Sequence, residues 1–141
     1  MNQDIQKITA FIAKHHVMSL ATTNNAELSV CSLFYAYDTD KLCFVVASSD
    51  ETLHVKHVLQ NSAVAGNILL ETDEVGKIQG LQFRGTMQES HDKELKKLYF
   101  KTFPYALAML PKLWQIEVDY FKLTDNRLGF GKKIIYSSSL P

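Results

Sequence analysis

The chain has 141 residues, which predicts a single domain with room for a buried core that needs neither disulfides nor metal. Its 15 basic and 15 acidic side chains cancel, so no net positive field attracts a phosphate backbone and a nucleic-acid role is disfavoured. No apolar run approaches the roughly 20 residues that cross a bilayer, and the N-terminal stretch around Asp4 lacks the apolar segment of a signal peptide, which together predict a cytoplasmic protein.

The hydrophobic pattern predicts helices and strands along the whole chain. Apolar residues three and four positions apart indicate helices, and apolar runs between turn signals indicate strands. The predicted elements are a helix at 3–14, strands at 16–23, 27–38 and 41–48, a helix at 50–60, strands at 62–71 and 77–89, a helix at 91–103, a short helix at 104–112, a strand at 113–123, an extended segment at 128–136 and a frayed tail at 137–141. Consecutive hairpins interrupted by short helices predict an α+β fold with a mostly antiparallel sheet, whose edges would disappear on closure into a small barrel.

The hairpin predicted in the second quarter of the chain is apolar on both faces. A sheet with one face in water alternates more cleanly, so we expect a helix or a second subunit to cover each face. A two-residue loop at Thr39-Asp40 would pair Cys43 with Ala36 and place Cys31 opposite Ser48. The two thiols would then be too far apart for a disulfide, and we interpret both cysteines as reduced, buried and apolar in character.

Residues 45–58, VVASSDETLHVKHV, carry the clearest candidate binding site. An apolar strand breaks over two hydroxyl residues into a helix, whose first turn offers unpaired N–H donors and partial positive charge to an anion. Ser48, Ser49 and Thr52 add hydroxyl groups, and either His54, when protonated, or Lys56 adds a cationic side chain. The pattern therefore indicates a binding site for a phosphate group.

The alternative for the same segment is an ordinary capped helix. Ser49 or Asp50 would then be the N-cap, and Asp50 with Glu51 would repel a dianion unless both point outward. His54 and His57 stand three residues apart, as metal ligands sometimes do, but no nearby Cys or Glu completes a set. We interpret these histidines as surface residues and predict no metal site.

The segment GFGKK at 129–133 resembles the end of a phosphate-binding loop. It lacks the first glycine and the Ser or Thr that would hold Mg²⁺, so it does not predict a nucleotide triphosphate site. It is compatible with a glycine-containing bend that brings Lys132 or Lys133 to the rim of a pocket, or with a solvated turn. No GxSxG motif and no linked Cys and His pattern is present, so the sequence names no catalytic residue.

Four stretches together resemble a known family. They are SVCSLFYAYD, CFVVASSDETLHVKH, SAVAGNI with GLQFRGTM, and FKLTDNRLGFGKK. In order and content they resemble the pyridoxamine 5'-phosphate oxidase-like, FMN-binding split-barrel proteins, and most closely their YhbP-like bacterial branch. The resemblance covers nearly the whole length. It implies one domain over 1–141, a six-stranded antiparallel split β-barrel with short flanking helices, and a homodimer with one FMN in each of two clefts between the subunits.

The resemblance also implies which residues meet the FMN. The residues expected at the cofactor are Val30, Cys31 and Ser32 along the flavin ring, Ser48, Ser49, Thr52 and His54 at the phosphate, and Lys132 from the partner chain. His54 stands where many relatives carry a lysine, so the expected phosphate site is weaker or more dependent on pH.

By this resemblance, the leading function is that of a flavin-dependent oxidoreductase acting on a small substrate. The strand at 29–34 carries none of the basic residues of the true oxidase, so oxidation of pyridoxamine phosphate itself is not expected. Two alternatives stay open. One is a non-catalytic flavin- or haem-binding protein, with His15 or His16 as an iron ligand; the other is a ligand-free interaction module, which Asp50 and Glu51 favour.

Overall fold

The computed structural model describes residues 3–138 and contains one antiparallel sheet of eight strands with three α-helices in that range. The elements are α1 (Gln3–Ala13), β1 (Val17–Asn24), β2 (Glu27–Phe34), β3 (Ala36–Asp38), β4 (Cys43–Ala47), α2 (Leu53–Gln60), β5 (Ala63–Leu69), β6 (Gln79–Glu89), α3 (Lys93–Thr102), β7 (Leu113–Asp125) and β8 (Lys133–Ser137), with short 3-10 helices at Val75–Lys77, Pro104–Met109 and Asn126–Leu128. The predicted α+β class with an antiparallel sheet is confirmed. Among residues 3–138, no helix has both the length and the apolar character needed to span a membrane.

The sheet curls into a split barrel because its two end strands are consecutive in the chain. The strand order is β2-β1-β5-β6-β7-β4-β3, and β8 pairs with β7. β2 and β3 lie at opposite ends of this order, yet only Tyr35 separates them. The Tyr35 backbone N–H donates to the carbonyl of His16 at 3.0 Å, and its buried hydroxyl donates to the carbonyl of Ile12 at 2.7 Å. The strand predicted at 27–38 therefore breaks at Tyr35, and with β8 the predicted six strands become eight.

β2 pairs with β1 and not with the strand predicted to follow it. Residues Asn25 and Ala26 both have left-handed backbone angles, with φ of 49° and 66°, which is the conformation of a two-residue hairpin loop. Cys31 consequently faces Leu20 and not Ser48. Both cysteines are free, as predicted, although Cys31 is only partly buried.

The predicted hairpin at Thr39-Asp40 forms only at its tip, between β3 and β4. Its register differs by two residues from the prediction, so that Cys43 faces Asp38 instead of Ala36. The loop is longer than two residues because Leu42 takes a left-handed φ of 51° and the Asp38 carboxylate accepts a hydrogen bond from the backbone N–H of Asp40. Local turn chemistry, and not the strand pattern, sets this register.

One apolar cluster fills the barrel and another lies under α3. The largest buried side chains of the barrel interior are Trp114, Phe44, Phe83 and Phe121. α3 packs Leu95 and Tyr99 on the smaller cluster, as its spacing predicts. Because successive residues of a strand face opposite sides, the interior side chains leave an outer face of the sheet that no described helix covers near β2.

The starts of two elements, α3 and β8, differ from the predicted positions. α3 begins after Asp92 and not after Ser90, since the Asp92 carboxylate accepts from the backbone N–H groups of Glu94 and Leu95 at 2.8 and 3.1 Å. The extended segment predicted at 128–136 begins as a turn, in which Gly131 has φ of 73°, and becomes strand only from Lys133. The frayed tail predicted at 137–141 lies outside the described residues after position 138.

Gly85 marks a close approach of β6 to β7, at the point where the ladder shifts register after Arg84. A Cβ atom at Gly85 would collide with the backbone carbonyl of Glu117, whereas one at Gly76 would meet nothing within 4 Å. Gly85→Ala is therefore expected to lower the free energy of unfolding by about 1–3 kcal/mol, measured by urea denaturation. Gly76→Ala is the control and should stay within about 0.5 kcal/mol of the parent chain. Equal stability of the two variants would contradict the close strand approach.

Candidate functional site

The segment 48–54 forms a compact turn between β4 and α2. Thr52 is the N-cap, and not Ser49 or Asp50 as the capped-helix alternative predicts, since its Oγ1 accepts from the backbone N–H of Val55 at 3.4 Å. The same hydroxyl donates to the carbonyl of Ser49 at 2.8 Å, and Ser49 Oγ accepts from the N–H of Glu51 at 3.1 Å. The hydroxyl groups predicted to meet a phosphate are thus gathered at one helix start.

His54 is buried within this turn, whereas the sequence analysis placed it on the surface. Its Nε2 lies 2.7 Å from Ser48 Oγ and 3.4 Å from Thr52 Oγ1, and only 8% of the residue is exposed. Burial lowers the pKa of His54 from its ordinary value, which favours the uncharged form of the imidazole. In the single chain, His54 therefore acts as a hydrogen-bonding group and its bond to Ser48 closes the bend.

Asp50 is not the N-cap, and its negative charge is compensated. Lys112 Nζ lies 3.1 and 2.9 Å from the two oxygens of the Asp50 carboxylate. Trp114 Nε1 donates to the carbonyl of Ser48 at 3.0 Å, which holds the start of the turn against β7. Glu51 remains exposed. The ion pair with Lys112 weakens the repulsion that Asp50 would exert on a phosphate.

His57 joins α2 to the β1–β2 hairpin from a buried position, so its predicted surface location is also wrong. Its Nδ1 lies 2.9 Å from Thr22 Oγ1, and its Nε2 lies 2.7 Å from Glu27 Oε1. Both ring nitrogens therefore have partners, which is what a buried imidazole requires. In the described part of the chain, no three His, Cys, Asp or Glu side chains lie close enough together to hold a metal ion.

Only two of the three β2 residues predicted to contact the flavin ring lie on the outer face of the strand. Val30 and Ser32 lie on the outer face of β2 with Leu28 and Phe34, whereas Cys31 points inward and packs against the core. The exposed fractions of Leu28, Val30 and Phe34 are 80%, 73% and 60%. This outer face, formed by Leu28, Val30, Ser32 and Phe34, is uncharged, apolar apart from Ser32, and largely exposed in the single chain.

Lys132 lies apart from both clusters. It is exposed in the turn before β8, where its carbonyl accepts from the backbone N–H of Asp125 at 3.0 Å. No described contact links Lys132 to the 48–54 turn or to β2. One chain thus brings Ser48, Ser49, Thr52 and His54 together and places Val30 and Ser32 on a separate surface, while the part of Lys132 stays a prediction that requires a second chain.

A cavity of about 480 Å³, which the sequence pattern did not predict, lies on the outer face of the sheet beside Val30. Its wall includes Arg84, whose guanidinium carbon lies 4.0 Å from the centroid of the Tyr120 ring. The lining residues come from β1, β2, β5, β6 and β7, so only the strand register brings them together. The GLQFRG stretch was the available signal, since it places an arginine on an exposed strand position.

The whole chain is similar to curated bacterial proteins. No protein-family model matches it. The UPF0306 protein of Enterobacter sp. (strain 638) is 36% identical over 135 residues, which span 94% of this chain and 95% of the relative. The UPF0306 protein YhbP of Escherichia fergusonii is 34% identical over 140 residues, spanning 97% of this chain and 95% of the relative.

Solved structures share the fold at low sequence identity. A haem-binding protein from Mycobacterium smegmatis has a TM-score of 0.79 at 14% identity, over 97% of this chain and 59% of that one. A NimC/NimA family protein from Clostridium acetobutylicum has a TM-score of 0.73 at 16% identity, over 96% and 92%. A Listeria innocua protein assigned as a pyridoxamine 5'-phosphate oxidase has a TM-score of 0.68 at 17% identity, over 84% and 96%. The predicted split-barrel fold is confirmed.

The lowered pKa of His54 makes the stability of the fold sensitive to acid. Below about pH 6.5 the unfolded chain binds more protons than the folded one, so the free energy of unfolding falls with falling pH. His54→Gln is expected to flatten this fall between about pH 7 and 5, measured by urea denaturation at several pH values. His15→Gln is the comparison, because burial also lowers the pKa of His15 in another part of the molecule. An unchanged pH slope in His54→Gln would contradict a desolvated imidazole.

Proposed function

The chain belongs to the UPF0306 family of YhbP proteins, and on this premise we propose that it binds FMN as a homodimer and acts as a flavin-dependent oxidoreductase on a small substrate. The observation that carries the proposal is the exposed apolar face of β2 in a split-barrel fold. A solved structure with this fold is assigned as a pyridoxamine 5'-phosphate oxidase. Oxidation of pyridoxamine phosphate itself is not part of the proposal, since β2 supplies no basic side chain to its outer face.

The outer face of β2 suits a flavin ring and a second subunit. Leu28, Val30 and Phe34 are large apolar side chains that are mostly exposed. Covering them gains about 25 cal/mol for each Å² removed from water. The fourth outward residue, Ser32, offers a hydroxyl group without charge. An aromatic ring can therefore lie on this strand without burying an unpaired ion.

The residue types in the 48–54 turn are suited to binding a phosphate. It supplies the hydroxyl groups of Ser48, Ser49 and Thr52 together with the imidazole of His54, and Lys112 compensates the nearby Asp50. The hydrogen bond between Ser48 and His54 already engages one site of each group, so a phosphate competes with it for these groups. Affinity is consequently expected to be modest and to rise as His54 becomes protonated in mild acid.

When bound, FMN supplies the electron-transfer chemistry, and the protein supplies orientation and exclusion of water. This division agrees with a sequence that names no nucleophile or acid–base pair. No side chain of the 48–54 turn needs to exchange a proton with substrate. The role of the chain is to hold the ring on β2 and the phosphate at the start of α2.

A homodimer is part of the proposal because one chain separates the two clusters of candidate residues. Apolar exposure continues beyond β2, since the rings of Phe34 and Phe103 lie 5.8 Å apart and Phe103 precedes the 3-10 helix at Pro104–Met109. In that helix Tyr105 and Met109 are 94% and 79% exposed. A two-fold axis would bury the same patch on both subunits and complete each cleft with residues of the other.

The haem-binding alternative has less support from this structure. His15 and His16 do line one cavity, and a haem-binding protein shares the fold. That cavity holds about 200 Å³, which is below the roughly 300–1,000 Å³ of small-molecule and cofactor sites. The visible spectrum of the purified protein separates the two cofactors, and a protein that takes up neither FMN nor haem would contradict both functions.

The double variant Thr52→Ala with His54→Ala tests the phosphate seat. It is expected to weaken FMN binding by at least about tenfold, because hydrogen bonds to a charged phosphate are lost. Titration followed by flavin fluorescence measures this affinity, and size-exclusion chromatography checks that the dimer persists. Lys101→Ala, at an exposed position of α3, is the control. Unchanged FMN affinity in the double variant would place the phosphate elsewhere.

Leu28→Glu tests the dimer. A carboxylate on the outer face of β2 would meet its symmetry mate or an apolar surface, so the variant is expected to be monomeric by analytical ultracentrifugation. Val75→Glu, at a residue that is 59% exposed in the 3-10 helix at Val75–Lys77, should leave the dimer unchanged. A monomeric parent chain, or a dimeric Leu28→Glu variant, would show that β2 does not form the interface.

A further inference from the structure

The strand register aligns two rows of side chains across the outer face of the sheet. The first row, each residue opposite the next, is Val30, Ala21, Ala65, Arg84 and Tyr120. The second row is Ser32, Ser19, Asn67, Gln82 and Lys122. In the first row, the middle residues Ala21 and Ala65 are small and apolar, and the row ends with Arg84 stacked on Tyr120. Every residue of the second row is polar.

The cavity of about 480 Å³ lies over these two rows. Its floor is flat because Ala21 and Ala65, which lie in the middle of the first row, carry only methyl groups. Three strand spacings of about 4.8 Å separate Val30 from Arg84, so the free length is roughly 14 Å. This length accommodates one or two fused rings with an acidic group at the end near Arg84.

The guanidinium group of Arg84 is available to bind an anion. Its guanidinium stacks on the Tyr120 ring, and no described residue accepts a hydrogen bond from it or forms an ion pair with it. Stacking leaves the edge of the guanidinium, with its fork of N–H donors, free for a carboxylate or a phosphate. Asp119 lines the adjoining cavity with Arg84 but does not pair with it.

A β-bulge produces this stack. β7 contains one extra residue, Asp119, between the partners of Arg84 and Gly85, so Val118 faces Gly85 and Tyr120 faces Arg84. If the pairing continued regularly from Val118, Asp119 would face Arg84 and Tyr120 would point to the opposite face of the sheet. Bulges often re-aim a side chain next to a functional site.

We propose that this cavity binds a planar anion of the aromatic or conjugated carboxylate class. The carboxylate accepts hydrogen bonds from Arg84, the flat part of the molecule lies on Ala21 and Ala65, and the amides of Asn67 and Gln82 meet polar ring substituents. This site does not require a flavin. Val30 belongs both to its wall and to the proposed flavin strand, so the further inference that the anion is the redox substrate rests on the proposed function.

Benzoate is the probe for the full-length protein, followed by amide chemical shifts in NMR titrations. Benzamide has the same planar ring without charge, and cyclohexanecarboxylate has the charge on a ring that is not flat. Benzoate is expected to bind at least about tenfold more tightly than benzamide, since a charged hydrogen bond is lost in the amide. It should also bind more tightly than cyclohexanecarboxylate and should shift the amides of Ala21 and Ala65.

Four variants test the role of Arg84 in benzoate binding: two change Arg84, one removes a neighbouring negative charge and one is a control. Arg84→Gln should weaken benzoate binding at least about tenfold, and Arg84→Lys should fall between, since it keeps the charge and loses the fork. Asp119→Asn should tighten binding, because it removes a competing negative charge beside Arg84. Lys101→Gln, at an exposed position of α3, removes one positive charge elsewhere and should leave binding unchanged.

Ala65→Leu tests the floor independently of Arg84. A larger side chain there fills the cavity and should abolish benzoate binding in a chain that stays folded. Benzoate affinity unaffected by either Arg84→Gln or Ala65→Leu would overturn the proposal. Displacement of benzoate by FMN would also overturn it, because the flavin itself would then occupy the cavity. A protein that binds benzoate through Arg84 and takes up no FMN would instead refute the proposed function and leave this site standing.

Discussion

The bend at Tyr35 is the constraint on which the rest of the structure depends. It makes one continuous segment serve as both ends of the sheet, and the hydrogen bond from its hydroxyl to the carbonyl of Ile12 fixes the bend against α1. A sheet curled in this way has an interior that large aromatic side chains can fill. It also has an exterior whose residues are free to serve other purposes. Because successive residues of β2 point to opposite faces of this curled sheet, Cys31 lies towards the interior and Val30 towards the exterior.

The two candidate regions are different in kind. The 48–54 turn is polar, internally hydrogen-bonded and held by Trp114 and Lys112, so it offers directed hydroxyl groups. The outer face of β2 and the neighbouring cavity offer flat apolar area with polar groups only along one side. A cofactor with a charged tail and a planar ring needs one region of each kind. In a single chain these regions remain separate, which is why the proposed function includes a second subunit.

The class of fold, most elements and the helix-start cluster could be predicted from periodicity and from the resemblance to split-barrel proteins. Strand pairing could not, because alternation is the same whether Cys31 faces Leu20 or Ser48. The burial of His57 depends on Thr22 and Glu27, which lie far away in sequence. The alignment of Arg84 with Tyr120 depends on one extra residue in β7, which leaves no local signal in composition or spacing.

The contacts of His57 have a mechanical consequence. Its imidazole links α2 to β1 through Thr22 and to the first residue of β2 through Glu27. The helix that begins at the 48–54 turn and the strand that carries Val30 are therefore cross-braced, and ordering one of them restrains the other. A ligand that contacts either segment therefore meets a part of the chain whose conformational entropy is already largely lost on folding.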